Sequence, residues 1–319
     1  MIVAGGNYSY CSGTQGGTPG PPFYGLRLTW QESLRAIAAA GAFTDVYEGS
    51  FSLPFGSPEF TAEVPARRRE MDALGLRPGV LLVATPFAQQ PEGEGPGERG
   101  WGAGGGGGGG AAAARQALAD EQRYRLIVEQ AAAMGYRCIV DFGAGEAAGE
   151  HERYVALMRA VAPLAAAAGL QISMKPHGAN GDDIVAGLLA VHRQIDRPGF
   201  GICLDPGNVV FYSDGRRLPT EGLEELAPCV NSLIVKDCVI EPGLRTCVYG
   251  SVGKDVLVVP GTGLVDFASI MRTLHGAGFR GPIMVEKQPG DTVEVIGANF
   301  IAARRFVDDL LRSASGAAL

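Results

Sequence analysis

The sequence has no apolar run approaching the ~18 to 20 residues that a membrane-spanning helix needs. Its start, Met1-Ile2-Val3-Ala4-Gly5-Gly6, lacks the basic stretch and apolar core of a leader. A cytosolic protein is expected. Basic charge is also short: 27 lysines and arginines stand against 34 aspartates and glutamates, giving a net charge of −7. Binding nucleic acid requires a basic surface to neutralise phosphates, so no nucleic acid and no membrane is expected as a partner. The six cysteines form no C-x-x-C pair, and several sit inside apolar runs, which favours buried thiols over a zinc knuckle or a disulfide frame. Only four histidines occur, His151, His177, His192 and His275.

What the sequence does have is alternation. Short β-branched apolar runs at Ile2 to Asn7, Thr44 to Glu48, Gly79 to Ala84, Cys138 to Phe142, Gln171 to Lys175, Gly201 to Asp205, Ser232 to Lys236 and Pro282 to Glu286 are separated by helical patterns. Most runs are continuously apolar, as strands buried on both faces are. Thr29-Trp30-Gln31-Glu32 is a capping box with Gly41 as its stop, and Asp266 caps a later helix that Gly276 stops. Eight strand-helix beats predict an eight-stranded parallel (β/α)8 barrel formed as one domain over residues 1–319. An open doubly wound sheet would want a glycine-rich turn leading directly into a helix, but Gly5-Gly6-Asn7 leads into a long loop. Residues 91–114, rich in glycine, read as a mobile insertion after the third strand.

Functional side chains of such barrels come from the C-terminal ends of the strands. Those ends carry Asn7, Glu48, Asp141, Lys175, Asp205, Lys236 and Glu286. Converging buried charges are costly unless paired or functional. Asp205-Pro206-Gly207-Asn208 reads equally as a turn or as a site segment, and Lys236-Asp237 as a surface pair or as an inward lysine. Glu286, ending a fully apolar strand, is read as functional. Glu48 and Asp141 stay undecided.

Gly201-Ile-Cys-Leu-Asp205-Pro-Gly-Asn208, Leu233-Ile-Val-Lys236-Asp237 and Pro260-Gly-Thr-Gly263-Leu-Val-Asp266-Phe267 leading to Gly281-Pro-Ile-Met-Val-Glu286 resemble the xylose isomerase-like barrels of sugar phosphate isomerases and epimerases. The resemblance implies a metal held by a strand-five glutamate, the strand-six aspartate, a strand-seven histidine and the strand-eight glutamate. Asp205 and Glu286 match two of these positions. Lys175, in Ser173-Met-Lys-Pro-His177, stands in the glutamate's place, and Ile234 in the histidine's. An ammonium repels a divalent cation and an isoleucine offers it nothing. A pocket without metal is therefore expected, the alternative being one manganese, magnesium or zinc ion on Asp205 and Glu286.

The function expected is an isomerase or epimerase, or a related lyase, moving a proton next to the carbonyl of a sugar or polyol. Glu286 would act as base, Lys175 and Lys236 as charge stabilisers, and Asp205, Asn208, His177, Glu48 and Asn7 as substrate-binding groups. The alternative is a catalytically silent barrel that binds a carbohydrate or a protein partner. A homo-oligomer is compatible with either reading.

Overall fold

The computed structural model describes residues 1–7, 10, 14–15, 18–19, 26, 28–49, 53–83, 110–144, 149–175, 184–213, 215–239 and 257–314. Within them, eight parallel strands close into a barrel. These are β1 (Val3–Gly6), β2 (Asp45–Gly49), β3 (Arg77–Val83), β4 (Cys138–Asp141), β5 (Gln171–Met174), β6 (Phe200–Leu204), β7 (Val230–Val235) and β8 (Ile283–Val285). Each strand pairs with its sequence neighbours. The ring shuts where Val3, Ala4 and Gly5 of β1 lie opposite Ile283, Met284 and Val285 of β8. Every expected strand overlaps an observed one.

Alternation along each strand divides the apolar residues into two sets. One set points inward and fills the barrel: Ala4, Tyr47, Val80, Leu82, Cys138, Val140, Cys203, Ile234 and Met284. The other points outward, where Val46, Leu81, Ile139, Ile172, Ile202, Leu204, Leu233 and Val285 meet the helices in a much larger core. Burying each such side chain contributes about 1.5–3 kcal/mol. The apolar runs lack period-two polarity because both of their faces are covered.

The helices are α1 (Trp30–Ala40), α2 (Phe60–Ala73), α3 (Gly110–Met134), α4 (Glu150–Ala167), α5 (Ile184–Ile195), α6 (Pro206–Tyr212), α7 (Leu223–Leu226), α8 (Phe267–Gly276) and α9 (Val293–Ala314). Thr29 and Glu32 form both bonds of the expected capping box, and Gly41 ends α1 in the left-handed region at φ 65°. Asp266 accepts from Ser269 N–H at the start of α8. Helix α3 begins at Gly110, inside the stretch read as insertion, while residues 84–109 lie outside the described set. No helix among the described residues is long and apolar enough to cross a membrane.

Candidate active site

The inward positions at the C-terminal ends of β5, β6, β7 and β8 bring Lys175, Asp205, Lys236 and Glu286 together, all buried. Cys203, Ile234 and Met284 point inward two residues earlier, and the same parity aims the charged side chains at the barrel axis. The Lys175 ammonium lies 2.8 Å from Glu286 Oε2 and 3.1 Å from Asp205 Oδ2. Lys236 Nζ lies 2.8 Å from Asp205 Oδ2 and 3.7 Å from Glu286 Oε1, and donates to Asn208 Oδ1 at 2.5 Å. Two ammoniums thus alternate with two carboxylates, and Asn208 joins them through Lys236.

Asp205-Pro206-Gly207-Asn208 is the start of a helix and not a free turn. Asp205 Oδ1 accepts from Asn208 N–H at 3.0 Å, with Pro206 as the first residue of α6, where a missing N–H costs nothing. A Cβ on Gly207 would sit 2.6 Å from the Lys236 carbonyl oxygen. Only glycine lets α6 approach β7 closely enough for Asn208 to reach the Lys236 ammonium. Asp237 forms no surface pair with Lys236. Its carboxylate accepts from the N–H groups of Gly261, Gly263 and Val265, fixing the loop that leads to α8.

Two expected site residues are placed elsewhere. Glu48 follows the inward Tyr47 on β2 and therefore points outward, where it accepts from Trp30 Nε1 at 2.6 Å and from the Tyr136 hydroxyl. Asn7 accepts at Oδ1 from Gly49 N–H at 3.3 Å, tying the ends of β1 and β2. Asp141 resembles Glu48: it faces the helices and accepts from Tyr124 at 2.9 Å and Tyr154 at 2.7 Å. His177 lies outside the described residues.

Burial pushes Glu48 up to about 7 and Asp141 up to about 6, even though their donors favour the anions. The central site behaves oppositely. Burial alone would raise the Glu286 carboxyl, but Lys175, Lys236 and then Lys287 hold it well below the usual carboxylate range. Burial would likewise lower Lys175, yet Glu286 and Asp205 raise it above an ordinary lysine. Lys175 also stands 5.6 Å from the centre of the Phe142 ring.

Sequence reasoning missed two neighbours of Glu286. Tyr47 points inward from β2, its hydroxyl 3.4 Å from Glu286 Oε2. Lys287 follows Glu286 in the left-handed region at φ 35°, and is lowered well below an ordinary lysine by burial, against the pull of Glu286 and with the repulsion of Lys236 and Lys175. A residue of that conformation is uncommon for lysine and leaves no trace in the sequence.

Residues 34–304 match the family described as xylose isomerase-like TIM barrel. The chain belongs to that family. No curated protein matches the sequence. Among solved structures, a xylose isomerase-like TIM barrel protein from Mycobacterium smegmatis in complex with magnesium aligns with a TM-score of 0.68 at 15% identity, over 98% of this chain and 97% of that one. D-Psicose 3-epimerase with D-tagatose from Clostridium cellulolyticum H10 aligns at 0.63 and 13%, over 98% and 99%. The IOLI protein with a binding zinc atom aligns at 0.64 and 12%, over 98% and 99%. Proteins of this fold thus include two solved with magnesium or zinc and one sugar epimerase.

The residues of this xylose isomerase-like barrel do not fit such a metal. The point where Asp205 Oδ2 and Glu286 Oε2 converge is taken by the Lys175 ammonium, and Ile234 offers no donor atom. Among the described residues, no group of three or more histidines, cysteines, aspartates or glutamates is placed to hold a metal ion.

Proposed function

We propose that this barrel is a cytosolic isomerase or epimerase that moves a proton beside the carbonyl of a sugar or polyol, with lysine ammoniums in the role a metal has in its relatives. The observation that carries the reading is the Lys175 ammonium between Glu286 and Asp205 at the catalytic end of the barrel. Glu286 takes the proton from the carbon next to the carbonyl. The electron pair of the broken C–H bond forms the C=C bond of an enediolate as the carbonyl π pair moves onto its oxygen. Glu286 then returns the proton to the former carbonyl carbon while the hydroxyl proton passes to that oxygen and a new C=O forms, which completes the isomerisation. A proton given instead to the opposite face of the first carbon by a lysine ammonium, and replaced from Glu286, yields the epimer.

Lys175 and Lys236 are the groups suited to that developing negative charge, since fixed cations in a buried site stabilise an oxyanion strongly. Their charge also answers an apparent objection. A carboxylate held this far below its usual range is a weak base at rest. As the ammoniums turn from Glu286 to the substrate oxygens, the carboxylate loses the partners that depress it and its basicity rises. Asp205 holds both ammoniums in place, and Asn208 orients Lys236.

The test is a ketose and inosose panel in chelator, following solvent deuterium entry into substrate with wild type and Glu286→Gln. Turnover in chelator that falls by about 10²-fold or more in the variant is expected, the scale of a lost general base. Full turnover by Glu286→Gln would remove Glu286 from the mechanism. A saturable sugar-dependent thermal shift with no exchange would favour a binding barrel instead.

A further inference from the structure

The two oxygens of Glu286 are held unequally. Oε2 receives the Lys175 ammonium at 2.8 Å and the Tyr47 hydroxyl at 3.4 Å, while Oε1 has Lys236 at 3.7 Å, beyond hydrogen-bond reach. Tyr47 is itself fixed. It is buried, it lies in the inward layer of the barrel, and its Cδ1 is 3.5 Å from where a Cβ on Gly6 would be, so the ring packs where β1 has no side chain.

We infer that Tyr47 is a positioning residue for Glu286: together with Lys175 it pins Oε2, turning the plane of the carboxylate so that Oε1 is the atom that accepts the substrate proton. The inference rests on Glu286 being the base of the proposed reaction, and adds which atom acts and what orients it. Lys175 must swing toward the substrate as charge develops. Tyr47 is the donor that stays, so the carboxylate keeps its orientation when its stronger partner leaves.

Tyr47→Phe removes the hydroxyl and leaves the packed ring, so the fold is expected to survive. Difference infrared spectra of protein labelled with [13C]glutamate, wild type minus Glu286→Gln, isolate the Glu286 carboxylate bands without any substrate. The expected result is that Tyr47→Phe shifts those bands. With the panel sugar that exchanges deuterium, kcat is expected to fall about 10-fold or more at nearly unchanged KM, with the acid limb of the kcat/KM profile moved to higher pH because the carboxylate has lost a donor. Unshifted bands, or an unchanged kcat and acid limb, would overturn the inference. If Glu286→Gln retains turnover, the base assignment fails with it. If Glu286→Gln is inactive and Tyr47→Phe matches wild type, only the positioning role fails.

Discussion

Replacing Lys175 with methionine tests whether the buried cluster is a balanced set of charges. The substitution keeps a similar length of apolar stem and deletes the ammonium that touches Glu286 at 2.8 Å and Asp205 at 3.1 Å. Asp205 keeps Lys236 at 2.8 Å and the Asn208 N–H at 3.0 Å. Glu286 is left with Tyr47 at 3.4 Å and Lys236 at 3.7 Å, so the uncompensated charge falls on Glu286. Removing one partner of a buried pair costs about 3–5 kcal/mol, whereas removing both is often close to neutral. Urea denaturation of wild type, Lys175→Met, Glu286→Gln and the double variant at pH 8 should therefore give a large loss for Lys175→Met, most of it recovered when Glu286 is neutralised as well. At pH 5 the single variant should lose less, because Glu286, freed of Lys175, takes up a proton. A cost below about 1 kcal/mol for Lys175→Met, or strict additivity in the cycle, would refute the reasoning.

Glu48 and Asp141 make stability fall as pH rises above the acid range. Their folded values of about 7 and about 6 lie above their ordinary 4.5 and 3.8, so the folded protein binds these protons more tightly than the unfolded chain does. Their stabilisation is full below the ordinary values and is lost as pH rises through the folded ones, on the order of 3 kcal/mol for each group. Glu286 has the opposite sign, but its contribution is lost only as pH falls below its ordinary 4.5. Lys287, held well below an ordinary lysine, acts the other way, so the difference between two proteins isolates Glu48: the Tm of Glu48→Gln should gain on that of wild type as pH rises from 5 to 8, and a constant difference would contradict this. Gly207→Ala places a Cβ 2.6 Å from the Lys236 carbonyl oxygen, and should cost about 1–3 kcal/mol in denaturant unfolding. It should also lower turnover by moving Asn208 off Lys236.

The barrel was legible because its evidence is repetitive: eight apolar runs, each buried on both faces, and helix caps such as Thr29-Glu32 written in adjacent residues. The four central charges were legible for a related reason, since each ends a run and the resemblance placed them at matching positions. Facing was harder to read. Glu48 and Lys175 both end apolar strands, but one residue of parity sends Glu48 outward to Trp30 and Tyr136 and Lys175 inward to Glu286. A strand buried on both faces carries no polarity pattern to fix that parity. Tyr47 was missed for the same reason, as an inward tyrosine and a core tyrosine look alike in sequence. Gly207 gave a turn signal whose cause, the closeness of β7, is a contact across 29 residues.

An ammonium standing where the family resemblance implies a metal is the central claim, and manganese titration calorimetry on protein purified without chelator tests it most directly. Wild type should show no saturable binding, since Lys175 occupies the point between Asp205 and Glu286. Lys175→Glu, which replaces the ammonium with the carboxylate the family resemblance implies, should bind more tightly than wild type. One equivalent of manganese held by the wild-type protein, with affinity lost in Glu286→Gln, would contradict the account.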